Sequence, residues 1–70
     1  MNPRIKFRHI QCFVEIVRQG SLKGASEWLS LTQPAVSRTL KELEETLGAT
    51  LLERVRVTPQ GEVFWHFAQT

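Results

Sequence analysis

Apolar residues recur at spacings of three and four over the first two thirds of the chain, which is the period of helices resting one face on a core. Gly20 is placed to end the first of these helices, and Ser21 can cap the second. The second helix is short, and Leu22, Ala25 and Leu29 share its apolar face. The apolar stripe of the first helix consists of Phe7, Ile10, Phe13, Val14 and Val17.

A third helix is predicted over residues 33–47. Thr32 precedes it as an N-cap, and Pro34 falls in its first turn, where a missing N–H is tolerated. Gly48 is the expected C-terminal stop. Its apolar stripe is the most regular in the chain, with spacings of four, three and four: Val36, Leu40, Leu43 and Leu47.

The segment from 51 to 57 is partly alternating and β-branched towards its end, so we expect one or two short strands there. Thr58 and Pro59 then begin a fourth helix, which has no stop signal before Thr70. The predicted fold is mainly α, in the order helix, helix, helix, small ribbon, helix. We expect a domain over residues 1–58 and the start of a further, linking helix over 59–70.

The connection between the second and third helices is only two or three residues long. So short a connection makes the helices cross steeply, as in a helix-turn-helix. Ala25 and Ser26 are small enough to let the two axes approach closely. The sequence therefore predicts a helix-turn-helix pair in the middle of the chain.

The face of the third helix opposite its apolar stripe carries polar and basic side chains, and Gln33 lies at its N-terminal tip. Three glutamates follow towards its C-terminus, which opposes the usual preference of the helix dipole. We interpret this reversal as the mark of an external anionic partner, with DNA phosphates and guanine edges at the basic half. The alternative is an ordinary solvated face. The polar and basic residues are Gln33, Pro34, Ser37, Arg38 and Lys41, and the acidic ones are Glu42, Glu44 and Glu45.

Composition limits the other possibilities. Seventy residues, 41% of them hydrophobic, allow one small domain with a modest core. A formal net charge of +2 is mild for a nucleic-acid-binding protein, so the position of the charges matters more than their sum. A single cysteine, Cys12, fits a reducing compartment, and no apolar run reaches the length of a membrane span. We expect a cytoplasmic protein with no membrane contact.

Enzymatic and metal-dependent functions find little support in the sequence. The chain contains no aspartate, no glycine-rich phosphate loop and no convincing nucleophile-base pair, so we predict that it is not an enzyme. His9, Cys12 and His66 lack the close spacing of a structural zinc site. We expect neither a metal nor a cofactor.

Two long motifs resemble the N-terminal signature of LysR-type transcriptional regulators. The first runs from Ser21 to Leu29, and the second, Leu-Thr-Gln-Pro-Ala-Val-Ser-Arg, runs from Leu31 to Arg38. The resemblance continues through Leu-Glu-Arg at 52–54 and Val-Thr-Pro-Gln-Gly at 57–61, and covers nearly the whole chain. The segment from Arg4 to His9 is also similar to members that control aromatic-compound catabolism, including the protocatechuate branch.

This resemblance implies a winged helix-turn-helix whose third helix lies in the major groove of double-stranded DNA. The ribbon would be the wing, with one of its arginines in the minor groove. The last helix would pair two subunits, and a small-molecule-sensing domain, absent from this chain, would respond to an inducer. The resemblance assigns DNA contacts to Gln33, Pro34, Ser37, Arg38 and the wing residue Arg56, and gives Arg54 either a DNA-backbone contact or a structural ion pair. Position and charge add four further candidates, of which Ser21 is first of all a helix cap: Lys41, Lys23, Ser21 and Thr32.

One departure from the family pattern concerns the wing. Members of the family carry several more residues between the Leu-Glu-Arg and the Val-Thr, whereas only Val55 and Arg56 separate Arg54 from Val57 here. We interpret this interval as too short for a proper hairpin turn. The departure puts the minor-groove role of Arg56 in question.

The last helix is apolar on nearly all sides, whereas one docked on a single core needs only a stripe. We therefore expect a homodimer, with Trp65 or Phe64 across the two-fold axis and the other of the two, together with Phe67, facing the first helix. A protein-interaction module that uses the same helices without DNA is the alternative function. The residues assigned to the dimer interface are Val63, Phe64, Trp65, Phe67 and Ala68.

Overall fold

The computed structural model describes residues 4–53 and 56–69, without the side chain of Gln69. Within them the chain forms four helices and one antiparallel pair of strands, which agrees with the predicted order. The elements are α1 Phe7–Gln19, α2 Leu22–Leu29, α3 Gln33–Leu47, β1 Leu52–Glu53, β2 Arg56–Val57 and α4 Pro59–Gln69.

The helix ends follow the predicted signals. The Ser21 hydroxyl oxygen accepts a hydrogen bond from the Gly24 backbone N–H at 2.9 Å, and that of Thr32 accepts one from Ala35 at 3.2 Å. Gly20 and Gly48 cap the C-termini of α1 and α3. Three residues connect α2 to α3, which confirms the helix-turn-helix.

The core lies where α1, α2 and α3 meet. Phe13 and Ile16 of α1 are completely buried, together with Ala25 of α2. Val36 and Leu43 of α3 are also completely buried, while Leu40 and Leu47 are partly buried against the same cluster. The predicted stripe of α3 is therefore confirmed.

The predicted stripe of α1 is wrong in part. Phe7 is 76% exposed, whereas Ile16, which lies outside that stripe, is completely buried. His9 and Glu15 are buried as well. The buried stripe of α1 runs through His9, Cys12, Phe13 and Ile16, which recur at spacings of three and four. The predicted stripe lies to one side of it, because it followed Val14 and Val17, which are only partly buried at the edge of the core.

The wing is a minimal hairpin. Leu52 pairs with Val57 and Glu53 with Arg56, so two residues separate the innermost pair. Two-residue connections are common in antiparallel hairpins. The expectation that the interval is too short for a hairpin was wrong, because it counted from Arg54, whereas β1 ends at Glu53.

The faces of α4 are arranged differently from our expectation. Both Phe64 and Trp65 pack edge-to-face against Phe13 of α1, with ring centroids 5.4 and 6.1 Å apart. Phe67, expected to face α1, is 60% exposed, and Val63 is 73% exposed. The expectation that only one of Phe64 and Trp65 faces α1 is therefore wrong, because both contact Phe13. The dimer interface itself stays a prediction.

Candidate nucleic-acid interface

One edge of α3 presents polar and basic side chains to solvent. Gln33, Pro34, Arg38 and Lys41 are exposed and Ser37 is half-buried. Residues three and four apart are neighbours on a helix surface, so these five form one continuous strip. We call this strip the reading edge: Gln33, Pro34, Ser37, Arg38 and Lys41.

The two cations of the reading edge have no ionic partner within residues 4–53 and 56–69. No carboxylate there lies within 4.0 Å of the charged groups of Arg38 or Lys41, whereas Arg8 and Arg18 are both paired. An unpaired guanidinium on an exposed helix retains all five of its donors for a ligand. The Arg38 guanidinium and the Lys41 ammonium of the reading edge are therefore both available to a surface that carries negative charge or hydrogen-bond acceptors.

The acidic half of α3 has internal partners, which changes our interpretation of its reversed charge. Glu42 lies 3.3 Å from His9 Nε2 and 3.9 Å from the Arg8 guanidinium. Glu44 accepts hydrogen bonds from the backbone N–H groups of Leu51 at 2.7 Å and Leu52 at 3.3 Å. Two of the three glutamates are thus explained without DNA. Only the basic half still points to an external partner.

The bond from Glu44 was not predictable from sequence, because its partners lie seven and eight residues further on. It fixes the base of the wing to the C-terminal half of α3. Thr58 secures the other strand, since its hydroxyl donates to the Thr50 and Leu51 carbonyls and accepts from the Gly61 N–H. The wing therefore has a defined position relative to the reading edge.

The remaining candidate contacts surround the helix N-termini and the wing. Lys23 is exposed near the start of α2, and the cap hydroxyls of Ser21 and Thr32 each keep a proton that could be donated to an anion. Arg56 is exposed on β2 opposite Glu53. Arg54 lies outside the described residues.

Neither a metal site nor a reactive thiol is evident in the described residues. No group of three His, Cys, Asp or Glu side chains lies close enough to hold a metal ion. Both ring nitrogens of His9 are engaged, one by the Lys6 backbone N–H and the other by Glu42. Burial raises the pKa of the Cys12 thiol, although Thr39 and Arg8 partly offset the effect. In the same residues, no helix is both long and apolar enough to span a membrane.

Three packed helices, an α2–α3 pair joined by three residues and a short antiparallel wing together define a winged helix-turn-helix domain. The family model for the bacterial regulatory helix-turn-helix protein, lysR family, matches residues 7–62. The chain belongs to this family, which confirms the resemblance seen in the sequence.

Curated relatives agree with this assignment. The HTH-type transcriptional regulator PcaQ of Agrobacterium fabrum is 50% identical over 72 residues, covering 97% of this chain and 23% of its own length. BenM of Acinetobacter baylyi is 40% identical over 68 residues, covering 91% of this chain and 22% of its own. This chain thus spans less than a quarter of either relative.

Solved structures place the fold among DNA complexes. The BenM DNA-binding domain bound to catB site 1 DNA has a TM-score of 0.88 at 38% identity, covering 93% of this chain and 74% of that one. Full-length CbnR bound to its target DNA has a TM-score of 0.89 at 32% identity, covering 93% of this chain and 23% of that one. The backbone described above is therefore one that these two proteins use on DNA.

The alignments also show that the matched region is shorter in this chain than in its relatives. The alignment with PcaQ extends over 72 positions yet contains 97% of a chain of 70 residues, so several residues of PcaQ have no counterpart here. The alignment with BenM has the same property.

Proposed function

We propose that this chain binds double-stranded DNA in a sequence-specific manner, with the reading edge of α3 in the major groove. The observation that carries the proposal is the pair of exposed cations on α3, Arg38 and Lys41, which have no ionic partner within residues 4–53 and 56–69. The likeness to the BenM domain in its DNA complex supports the same orientation of α3. The function is that of the DNA-binding domain of a bacterial transcriptional regulator.

Within this proposal, Arg38 reads a base and Lys41 holds the backbone. The Arg38 guanidinium is a fork that matches the O6 and N7 acceptors of guanine, whereas the Lys41 ammonium is a point charge suited to phosphate. Gln33 at the N-terminal tip and Ser37 one turn later flank Arg38 and complete the contact with base edges.

Phosphate contacts surround this centre. The N-terminus of α2, with Ser21 and Lys23, and the capped N-terminus of α3 at Thr32 provide N–H groups, a hydroxyl and a positive charge, all of which suit phosphate oxygens. Arg56 on the wing adds a contact beside the groove. The wing contribution is smaller than in relatives because the hairpin is short.

Fluorescence anisotropy on a selected DNA site tests the proposal. The site comes from selection of bound duplexes out of a random pool, and a scrambled duplex serves as the non-specific target. We expect Arg38→Ala to cost about 1–3 kcal/mol on the selected site and to relax preference at one base pair. We expect Lys41→Ala to weaken both duplexes alike and to lower the salt slope by about one.

Arg18→Ala is the matched control, because Arg18 is an exposed cation on α1 that pairs with Glu15 away from the reading edge. It should leave both affinities nearly unchanged. Equal losses for Arg38→Ala on the two duplexes would reduce Arg38 to a phosphate contact. A chain that enriches no sequence, and whose weak binding does not depend on salt, would favour the protein-interaction alternative.

The wider properties of the protein belong to the same proposal, since this chain covers less than a quarter of the length of PcaQ and BenM. We propose residues 1–58 as the DNA-binding domain and 59–70 as the beginning of a linker helix that pairs two subunits. An inducer would act through a sensing domain beyond this chain. Control of aromatic-compound catabolism, a cytoplasmic location, and the absence of enzymatic activity, cofactor and membrane contact remain predictions.

A further inference from the structure

Arg38 and Glu42 lie one helical turn apart on α3, the spacing at which opposite charges commonly pair. They also border the same surface concavity of about 640 Å³, which Arg8 of α1 lines as well. Yet Glu42 is bonded to α1 and Arg38 has no ionic partner within the described ranges. Arg38 is thus not paired with the acid nearest to it along the helix.

The geometry points to His9 and Arg8 as positioning residues that hold Glu42 away from Arg38 and so keep Arg38 available for DNA. We call this pair the α1 clamp. This inference rests on the proposed DNA contact of Arg38. It adds two residues of α1 to the determinants of binding, neither of which needs to touch DNA.

His9 is the fixed part of the clamp. Its side chain is only 6% exposed, and its Nδ1 accepts a hydrogen bond from the Lys6 backbone N–H at 2.9 Å. Because Nδ1 accepts, the imidazole proton lies on Nε2, which donates to Glu42 Oε1 at 3.3 Å. The backbone of α1 thus sets the tautomer that binds the carboxylate.

Arg8 supplies the charge. Its guanidinium lies 3.9 Å from the same Glu42 oxygen, and both side chains are about half exposed, at 61% and 46%. A single exposed pair of this kind contributes little by itself. Together with the buried donor on His9, however, it gives the Glu42 carboxylate two partners on α1. On its own helix the competing cation is Arg38, one turn earlier.

Without the clamp, Glu42 would be free to turn towards Arg38. Two effects would then weaken DNA binding: competition for the guanidinium that reads the base, and an uncompensated negative charge beside the phosphates. Both effects require the charge of Glu42, so the isosteric Glu42→Gln change should abolish them. This dependence distinguishes positioning from simple loss of structure.

A double-mutant cycle on the selected duplex tests the inference. Arg8→Gln and His9→Ala should each weaken binding by about three-fold in the Glu42 background, on the scale expected for one helix-surface ion pair plus added repulsion. In the Glu42→Gln background each should change affinity by less than about 1.5-fold. His9→Gln, which keeps a donor for the carboxylate, should retain affinity close to wild type.

The outcomes separate the inference from the proposed function. If Arg38→Ala has no effect on binding, the proposed DNA contact of Arg38 is wrong, and the inference about the α1 clamp fails with it. If Arg38→Ala weakens binding but Arg8→Gln costs the same in both backgrounds, Arg8 contacts phosphate directly and the inference is overturned. Urea unfolding of each variant identifies losses due to instability, and a His9→Ala loss that Glu42→Gln does not rescue also contradicts positioning.

Discussion

The exposed face of α4 should pair two copies of the chain, and Phe67→Ala should largely abolish the pairing. Val63 and Phe67 lie one turn apart on this face and are 73% and 60% exposed. They border an apolar groove of about 310 Å³ that also includes Ile5, Leu47 and Leu51. An exposed apolar strip continuous with a groove is typical of an interface, and a second copy would offer the same surface about a two-fold axis.

The magnitude follows from the exposure of Phe67. Full burial of a phenylalanine side chain stabilises by up to about 3 kcal/mol, so covering its remaining exposed fraction gives about 1–2 kcal/mol. Two-fold symmetry doubles this to about 2–4 kcal/mol per dimer, which corresponds to roughly a 30- to 700-fold increase in the dimer dissociation constant. Pairing at this face would set two reading edges about one DNA turn apart, roughly 34 Å, or a small multiple of it.

Sedimentation equilibrium over a concentration series, with and without a duplex that carries two half-sites, measures the effect. Phe7→Ala is the matched control, since Phe7 is 76% exposed on α1 and does not border the groove. A wild type that stays monomeric at high concentration, both free and on the two-site duplex, would refute the reasoning. Equal effects of Phe67→Ala and Phe7→Ala would refute the choice of face.

Two further predictions concern the core. Gly61→Ala should destabilise the fold by about 2–4 kcal/mol in urea unfolding, because its Cβ would collide with the Leu51 carbonyl oxygen, a backbone atom. Gly48→Ala is the control for a missing collision, since a Cβ there meets nothing within 4 Å and its cost comes only from the positive φ. Since burial raises the Cys12 pKa, the unfolded chain ionises first as pH rises past the ordinary thiol value of 9.0. The stability that this pKa difference contributes is present below that pH and is lost as the pH rises above it. Cys12→Ala should therefore reduce the decrease in the free energy of unfolding at alkaline pH, and an unchanged slope would contradict this.

Local signals predicted the helices well because each acts through neighbours in the chain. Ser21 and Thr32 cap the helices they precede, and Gly20 and Gly48 end helices where expected. The stripe of α3 is regular because α3 rests one face on the core. Those features depend on residues three or four apart, a range that sequence periodicity reports directly.

Errors arose where packing from several directions decides burial. The side of α1 chosen from periodicity included Phe7 and omitted Ile16, because the buried stripe also contains His9, a polar residue that an apolar pattern does not count. Phe64 and Trp65 were assigned to opposite faces of α4, yet both reach Phe13. Apolar residues on all sides of a helix indicate two buried faces, but they do not identify which residue belongs to which face.

The charge pattern of α3 was also misinterpreted because partners distant in the sequence decide it. Two of its three acids have partners outside α3, since Glu42 is bonded to α1 and Glu44 to the base of the wing. Both partners are distant in sequence, so no local pattern could reveal them. Once these acids are assigned to the fold, Arg38 and Lys41 are the cations of α3 that have no ionic partner among the described residues, and they lie on one strip of the helix. The argument for DNA binding therefore rests on fewer residues than the sequence suggested, and each of them can be tested separately.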